Sequence, residues 1–395
     1  MNIGRMEVSN GIRQGCTGSP QLFVMIVNMI IQEIITSTLG YRDEKFYIPA
    51  LFFADDGLLL TNSVKQAKHL LEVMKGATMR CGLEMNTLKS QCIMFNYKGP
   101  TVTQLQGMEV VERIKYLGVV VCNKRDCFQQ HKKEKIRQAR KMVNLTYSVI
   151  ARSCNKLLIG KTYWKNIVLP GVLYASSVIT WTNKENDELQ RIDNQVWRQI
   201  LGGPRYTPVV ALQGEIGTSS VRSRDMKNKL RLAAHLLTSR GGLLSGVVEE
   251  MMEERSSAWA KQILQYMREV GITDAELRNL KKEKIKLKVN EWEERRWREG
   301  VEEKETLRIY RSKNQIGEEN IYTNSFGSMI MFRCRTNTLR LNWRNRFQGG
   351  QVECELCEHG REETLSHFIR ECAGLKQVRE VGSGGRRHGG EDTVV

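Results

Sequence analysis

Two stretches of this chain set side chains at spacings that could do chemistry. The first is ALFFADDGLLL, Ala50 to Leu60, where Asp55 and Asp56 interrupt a run of apolar residues and glycine. An ionised carboxylate buried without a partner is costly enough that it usually takes up a proton, and two side by side repel each other. Two arrangements relieve that cost. Asp-Gly is a preferred turn pair between apolar runs, so Asp56-Gly57 could place both acids in water at a hairpin tip. Alternatively, the oxygens hold a divalent cation. The stretch by itself leaves both open.

The second stretch is VECELCEHGREETLSHFIREC, in which Cys354, Cys357, His367 and Cys372 fall as C-x2-C-x9-H-x4-C. Three thiolates and one imidazole suit a closed, tetrahedral Zn2+ site of the structural kind. His359 competes on paper, but it sits close to Cys357 in a glycine turn. The plain alternative is three unrelated cysteines in a reducing compartment. Arg333, Arg335, Arg340, Arg344 and Arg346 flank the module. They fit an RNA- or DNA-binding knuckle, and a purely structural zinc staple fits nearly as well.

The elements that must position these groups follow from apolar spacing. SPQLFVMIVNMIIQEII repeats apolar residues at helical intervals after Ser19-Pro20, with proline in the first turn. Lys65 to Met79 predicts a second helix, Gln91 to Phe95 a strand, and RIKYLGVVV (113–121) the edge of a strand pair. Residues 1–122 therefore read as α/β or α+β. From Asn123 to Arg240 the pattern is helical. Between Lys124 and Lys165 basic residues heavily outnumber acidic ones, which suits a phosphate-facing surface as well as a solvated helix face. Trp164, Trp181 and Trp197 read as core anchors. Residues 250–315 mix both charges and predict an exposed or bridging helical segment. The glycine-rich end beyond Glu380 predicts disorder, and no repeat of fixed period occurs.

At 395 residues and 41% hydrophobic content the chain can bury a substantial core, which excludes a disordered protein. A net charge of +17 points to a polyanionic partner, nucleic acid before a membrane surface. The N-terminus lacks a signal peptide's arrangement, and the apolar run Leu22 to Ile31 is too short to span a bilayer. Ten scattered cysteines predict reduced thiols and an intracellular location, nuclear or cytoplasmic.

Four motifs lie in order along the first region. They are GIRQGCTGSP (Gly11 to Pro20), FADD, CGLEMNTLKSQCIMF (Cys81 to Phe95) and YLGVVV (Tyr116 to Val121). Together they closely resemble motifs B, C, D and E of the reverse transcriptases of non-LTR (LINE-type) retrotransposons. That resemblance implies an RNA-directed DNA polymerase acting on an RNA template, a DNA primer or target, and deoxynucleotides, with Mg2+. It implies that Asp55 coordinates the cations directly and Asp56 more peripherally. It implies that Arg13, Gln14, Gly15, Ser19 and Pro20 lie at the nucleotide and template, with Arg13 a phosphate or structural contact. Lys89 would meet the pyrophosphate, with an ordinary surface lysine as the alternative, and Tyr116, Leu117 and Gly118 would form the primer grip. The family's CCHC module beyond the thumb matches the C-terminal cysteines.

The resemblance also carries a departure. The family's motif A aspartate, on a strand upstream of motif B, has no counterpart before Gly11, and Glu7 does not fit its pattern. The expectation is a chain inactive alone, the C-terminal portion of a longer reading frame. The expected fold class is α+β: a partial polymerase palm (1–122), a helical thumb-like region (123–240), a charged helical connector (241–345), a CCHC zinc module (346–376) and a disordered tail (377–395). The alternative function is a non-catalytic RNA- or DNA-binding protein that uses the basic thumb and the zinc module. A third reading is a degenerate frame without a selected role.

Overall fold

A computed structural model of the chain describes residues 15–238, 242–357 and 360–384. It is a mixed α+β structure of two compact units, one running up to Lys135 and including His235–Lys261, the other built from Ile136–Ala234 and Gln262 onward. These units do not follow the boundaries expected at 122/123 and 240/241. The segment after residue 240 joins the first unit through ion pairs of Lys45 with Glu250 (3.1 Å) and Glu254 (3.5 Å).

The first unit opens with α1 (Ser19–Thr36), then β1 (Tyr41–Arg42), β2 (Tyr47–Ile48), β3 (Ala50–Phe53), β4 (Asp56–Leu59) and α2 (Val64–Arg80). Short strands follow: β5 (Gln91–Cys92), β6 (Gln104–Leu105), β7 (Met108–Val110), β8 (Arg113–Tyr116) and β9 (Val119–Cys122). Proline in its first turn opens α1, as its sequence implied, and Ser63 caps α2 by accepting from the Gln66 N–H. Val27, Ile30 and Ile34 recur at helical spacing and turn one face of α1 inward. Ile30, Ile34, Leu70 and Ala77 form a core onto which Ala50, Phe52 and Leu59 of the β3–β4 hairpin pack. The other face of α1 leaves Leu22, Met25 and Met29 exposed. Among the described residues the strands form separate small sheets, and β3–β4 is a pair with both outer edges open. The strand expected over Gln91 to Phe95 shortens to β5, which pairs only with β7.

Helices build the second unit. They are the greater part of α3 (Gln129–Arg152), then α4 (Lys156–Tyr163), α5 (Leu169–Val172), α6 (Asn183–Leu201), α7 (Val209–Ile216) and most of α8 (Val221–Thr238). After α9 (Leu243–Glu253) of the first unit come α10 (Ala258–Val270), α11 (Asp274–Leu277), α12 (Lys282–Glu302), α13 (Phe326–Arg335) and α14 (Lys376–Gly384). Trp164, Trp181 and Trp197 are buried, as core anchors should be. The Trp164 indole N–H donates to the buried Asp193 carboxylate at 2.7 Å.

Two expectations change here. The charged segment is not a solvated bridge: Ile285, Val289, Trp292, Trp297 and Val301 line one face of α12 and are buried. Their spacing of four, three, five and four residues is a core stripe, which the surrounding lysines and glutamates obscured. The segment expected to be disordered from residue 377 begins as α14.

Several buried ionic groups in this unit are paired. Lys229 and Asp225 form a fully buried pair one helical turn apart, completed by the Ser176 carbonyl (2.8 Å) and the Tyr266 hydroxyl (2.8 Å). Removing one partner strands the other charge in the core. Asp225→Ala should therefore cost about 3–5 kcal/mol in urea unfolding, and the double change Asp225→Leu/Lys229→Met should recover most of it. A loss below about 1 kcal/mol in the single variant would mean that the pair is solvated.

Candidate functional site

The hairpin carrying the paired acids turns earlier than the Asp-Gly dipeptide suggested. Phe53 pairs with Asp56 and Phe52 with Gly57, so the two turn residues are Ala54 and Asp55, and Asp56 begins β4. Ala54 accepts a left-handed backbone, φ +52°, to make that turn. The reason lies across the strands. Phe52 faces the α1–α2 core, and a side chain at position 57 would approach its ring to 2.7 Å. Gly57 is therefore the floor beneath an aromatic ring and not a turn residue. Asp55 and Asp56 stand exposed at the tip.

A second hairpin, β8–β9, turns through Leu117 and Gly118, both with positive φ (+47° and +78°). This is the left-handed pair that suits two-residue hairpins. Burial raises the Tyr116 hydroxyl above its ordinary pKa, and the nearby Asp56 charge raises it further. The two hairpins thus bring Asp56 and Tyr116 within electrostatic reach. Lys115, on the other face of β8, lies close to Lys135 at the start of α3; burial and this like charge together lower the Lys135 pKa. His131 Nδ1 accepts from the Val120 N–H at 3.2 Å, and buried Lys132 pairs with Asp126 at 2.6 Å. Two members of the basic run HKKEK are therefore fixed inward, while Lys133, Arg137 and Lys141 remain exposed along α3.

Gly15 lies in a turn with φ +82°, ahead of Ser19 and Pro20 at the start of α1. Arg13, Gln14, Glu7 and His359 lie outside the described residues. Lys89 sits exposed on a turn that Asn86 closes, its Oδ1 accepting from the Lys89 N–H at 3.1 Å. The Lys89 ammonium makes no ion pair with a described residue. Among the described residues, no third carboxylate, thiol or imidazole joins Asp55 and Asp56 in a metal-sized group.

Such a group does form at the C-terminal module. One ligand atom from each of Cys354, Cys357, His367 and Cys372 lies within 4.8 Å of all the others. Cys354 Sγ is 3.7 Å from Cys372 Sγ, and Cys357 Sγ is 3.4 Å from His367 Nε2. Tetrahedral Zn2+ with Zn–S bonds of about 2.3 Å requires ligand-to-ligand edges of about 3.8 Å, so the donors fit that ion. A short bridge between Glu353 and Glu362 and the Cys354 N–H bond to Arg361 (2.8 Å) shape the first knuckle. His367 opens a single wide turn, His367–Glu371, and Cys372 ends it by donating its N–H to the His367 carbonyl at 2.7 Å. Burial pushes the Cys354 thiol up to about 11. Burial acts to raise Cys372 as well, but hydrogen bonds from Cys354 and from the Gly374 and Leu375 backbone outweigh it and lower its pKa.

The flanking arginines are mostly engaged within the protein. Arg335 pairs with buried Glu215 at 3.0 Å, Arg346 pairs with Glu362, and Arg344 stacks on Tyr206 with its guanidinium 4.4 Å from the ring centre. Arg333 donates to the Gly202 carbonyl, and Arg340 alone of the five is exposed without a partner among the described residues. Sequence reading also passed over Arg191, Arg198 and Arg205, which line a cavity with Arg333. The signal was present, since Arg191 and Arg198 lie seven residues apart on one helix face.

The first unit thus sets a glycine turn ahead of a helix, and exposed acids at a hairpin tip within electrostatic reach of a second hairpin's tyrosine. Residues 2–121 match the family model described as Reverse transcriptase (RNA-dependent DNA polymerase). The match lies within the first region, and the remainder of the chain is outside it.

Two measurements check the C-terminal cluster. Cys357→Ser should lower bound zinc per chain in elemental analysis, and unchanged stoichiometry would remove Cys357 from the ligand set. Gly374 lets the second knuckle approach the first so closely that an added Cβ would lie 1.9 Å from the Leu356 carbonyl oxygen. Gly374→Ala should therefore weaken zinc retention against a chelator although it touches no ligand, and retention equal to wild type would disprove that packing.

Proposed function

We propose that this chain is part of a non-LTR-type reverse transcriptase, with the acids at the β3–β4 tip as metal ligands. The observation that carries the reading is the juxtaposition of Asp56 with Tyr116 inside the segment that matches the reverse-transcriptase family. Two exposed carboxylates, with substrate phosphates and water, are the ligand set on which Mg2+ commonly relies. When bound, such an ion favours a deprotonated primer hydroxyl and offsets the charge of the leaving pyrophosphate. Asp55, at the turn itself, is the ligand least hindered by its neighbours, and Asp56 is held by its strand pairing. Tyr116, Leu117 and Gly118 support the primer strand, with Lys115 and Lys135 supplying positive charge nearby. Gly15, Ser19 and Pro20 hold the turn that would lie along template and nucleotide, and Lys89 is exposed and uncommitted, as a pyrophosphate contact must be.

The described residues supply two carboxylates at this tip where the family resemblance implies a third from a neighbouring strand. The open edges of β3–β4, and the exposed Leu51 and Phe53 on its outer face, support the reading that another strand completes the site. By itself the chain is then inactive and retains nucleic-acid binding. The C-terminal cluster is read as a structural Zn2+ staple: Leu341, Trp343 and Leu365 form a small core that ties the module to Cys334 of α13.

The test is retention of a labelled RNA–DNA primer–template by the purified chain, with and without Mg2+ and deoxynucleotide. Retention that weakens steeply with salt, with no nucleotide incorporated, is expected. A chain that fails to retain the hybrid overturns the polymerase reading. Incorporation that disappears in Asp55→Ala upholds that reading and overturns the claim of inactivity.

A further inference from the structure

The second unit contains a positively lined cavity that none of the four motifs touches. Its volume is about 640 Å³, and its walls include Arg191, Gln195, Arg198, Arg205 and Arg333 together with the Gly202-Gly203 turn. No carboxylate lines it. Four guanidinium groups thus line one cavity with no acid among the residues around it.

The sequence builds this arrangement deliberately. Arg191, Gln195 and Arg198 share one face of α6 at intervals of four and three residues. The helix stops at Gly202, whose left-handed backbone (φ +66°) caps it. A side chain at Gly202 would strike Met329, and one at Gly203 would come within 2.9 Å of the Phe332 ring. The glycine pair therefore lets the end of α6 lie directly against α13, and α13 delivers Arg333. Arg333 donates from Nε and Nη2 to the Gly202 carbonyl at 2.9 and 2.8 Å. That contact neutralises the negative end of α6, which would otherwise repel an anion. Arg198 donates to the Thr207 carbonyl at 3.0 Å, while its Nε is buried without a partner, and burial lowers its pKa. Arg191 and Arg205 are exposed at the rim and make no ion pair with described residues.

Two anchored guanidiniums at the base and two free ones at the rim form a receptor for oxyanions. We propose that this cavity binds consecutive phosphates of a nucleic-acid strand, so that single-stranded RNA is held on the second unit independently of the hairpin acids. The cavity is open and lined by arginines, which suits a backbone passing across it, and the planar forks suit phosphate oxygens. The inference rests on the reading that the chain handles nucleic acid, but its test uses no nucleotide incorporation, so loss of polymerase activity would leave it standing.

The experiment measures fluorescence anisotropy of a labelled single-stranded RNA with the full chain across a salt series. Arg191→Ala/Arg205→Ala removes the two free rim charges and leaves the anchored pair intact. Lys282→Ala/Lys284→Ala removes the same charge from exposed positions on α12. Equal thermal midpoints establish that both variants fold. The rim variant should lower the slope of log affinity against log salt by about 1.4, two contacts at about 0.7 each, while the α12 variant leaves it within error of wild type. Equal slopes in the two variants, or no change in either, would overturn the proposal in favour of diffuse attraction. Calorimetry with inorganic pyrophosphate separates the remaining source: tight binding lost in the rim variant, with the RNA slope unchanged, would assign the cavity to free phosphate and overturn strand binding.

Discussion

Adjacent carboxylates cannot follow their apolar flanks into a core, and the first unit is organised around that constraint. Ala50, Phe52 and Leu59 are drawn onto α1 and α2, while Asp55 and Asp56 must remain in water a few residues away. A tight hairpin reconciles the two demands. Its turn has to fall between inward-facing Phe52 and inward-facing Leu59, which places Ala54 and Asp55 at the tip. Ala54 bears a left-handed backbone, a conformation that costs a non-glycine residue about 1 kcal/mol or more. The local strain is tolerated because the aromatic ring over Gly57 fixes the register.

The second unit obeys a related rule in its interior. Glu215 is buried, and it is met by Arg335 and by the Tyr322 hydroxyl. Asp193 meets an indole N–H, and Asp225 meets Lys229 and Tyr266. Apart from the Asp225–Lys229 pair, which lies within α8, these contacts join segments distant in sequence. The polar groups thus specify which segments become neighbours while the tryptophans and aliphatics supply most of the burial. Glu215 also links α7 to α13, and α13 is the helix that carries both Arg333 to the basic cavity and Cys334 to the core of the C-terminal Cys/His module.

The chain's positive charge separates into two populations. Lys132, Lys229, Arg335 and Arg346 are spent on internal carboxylates. Lys133, Arg137, Lys141, Arg191 and Arg205 face solvent without such partners among the described residues. The second population is the one open to a polyanion; besides these positions on α3 and around the end of α6 it includes Lys89, Lys282, Lys284 and Arg340. A net charge of +17 states that an excess exists and is silent on where it is displayed.

What the sequence by itself determined was the chemistry available at short range. The C-x2-C-x9-H-x4-C spacing, the acids between apolar runs, the helix opening at Ser19-Pro20 and the tryptophans of the core were all legible there, because each depends on neighbours in the chain. The turn register at Asp55 was not, since it is decided by what Phe52 packs against. The burial of α12 was half legible: its apolar spacing was present, but a high charge count concealed it. The nearness of the Asp56 charge to Tyr116, the fate of each arginine and the meeting of α6 with Arg333 were decided only by tertiary structure. Those outcomes rest on contacts between residues dozens to more than a hundred positions apart, and no local pattern encodes which distant partner a charge or a ring will find.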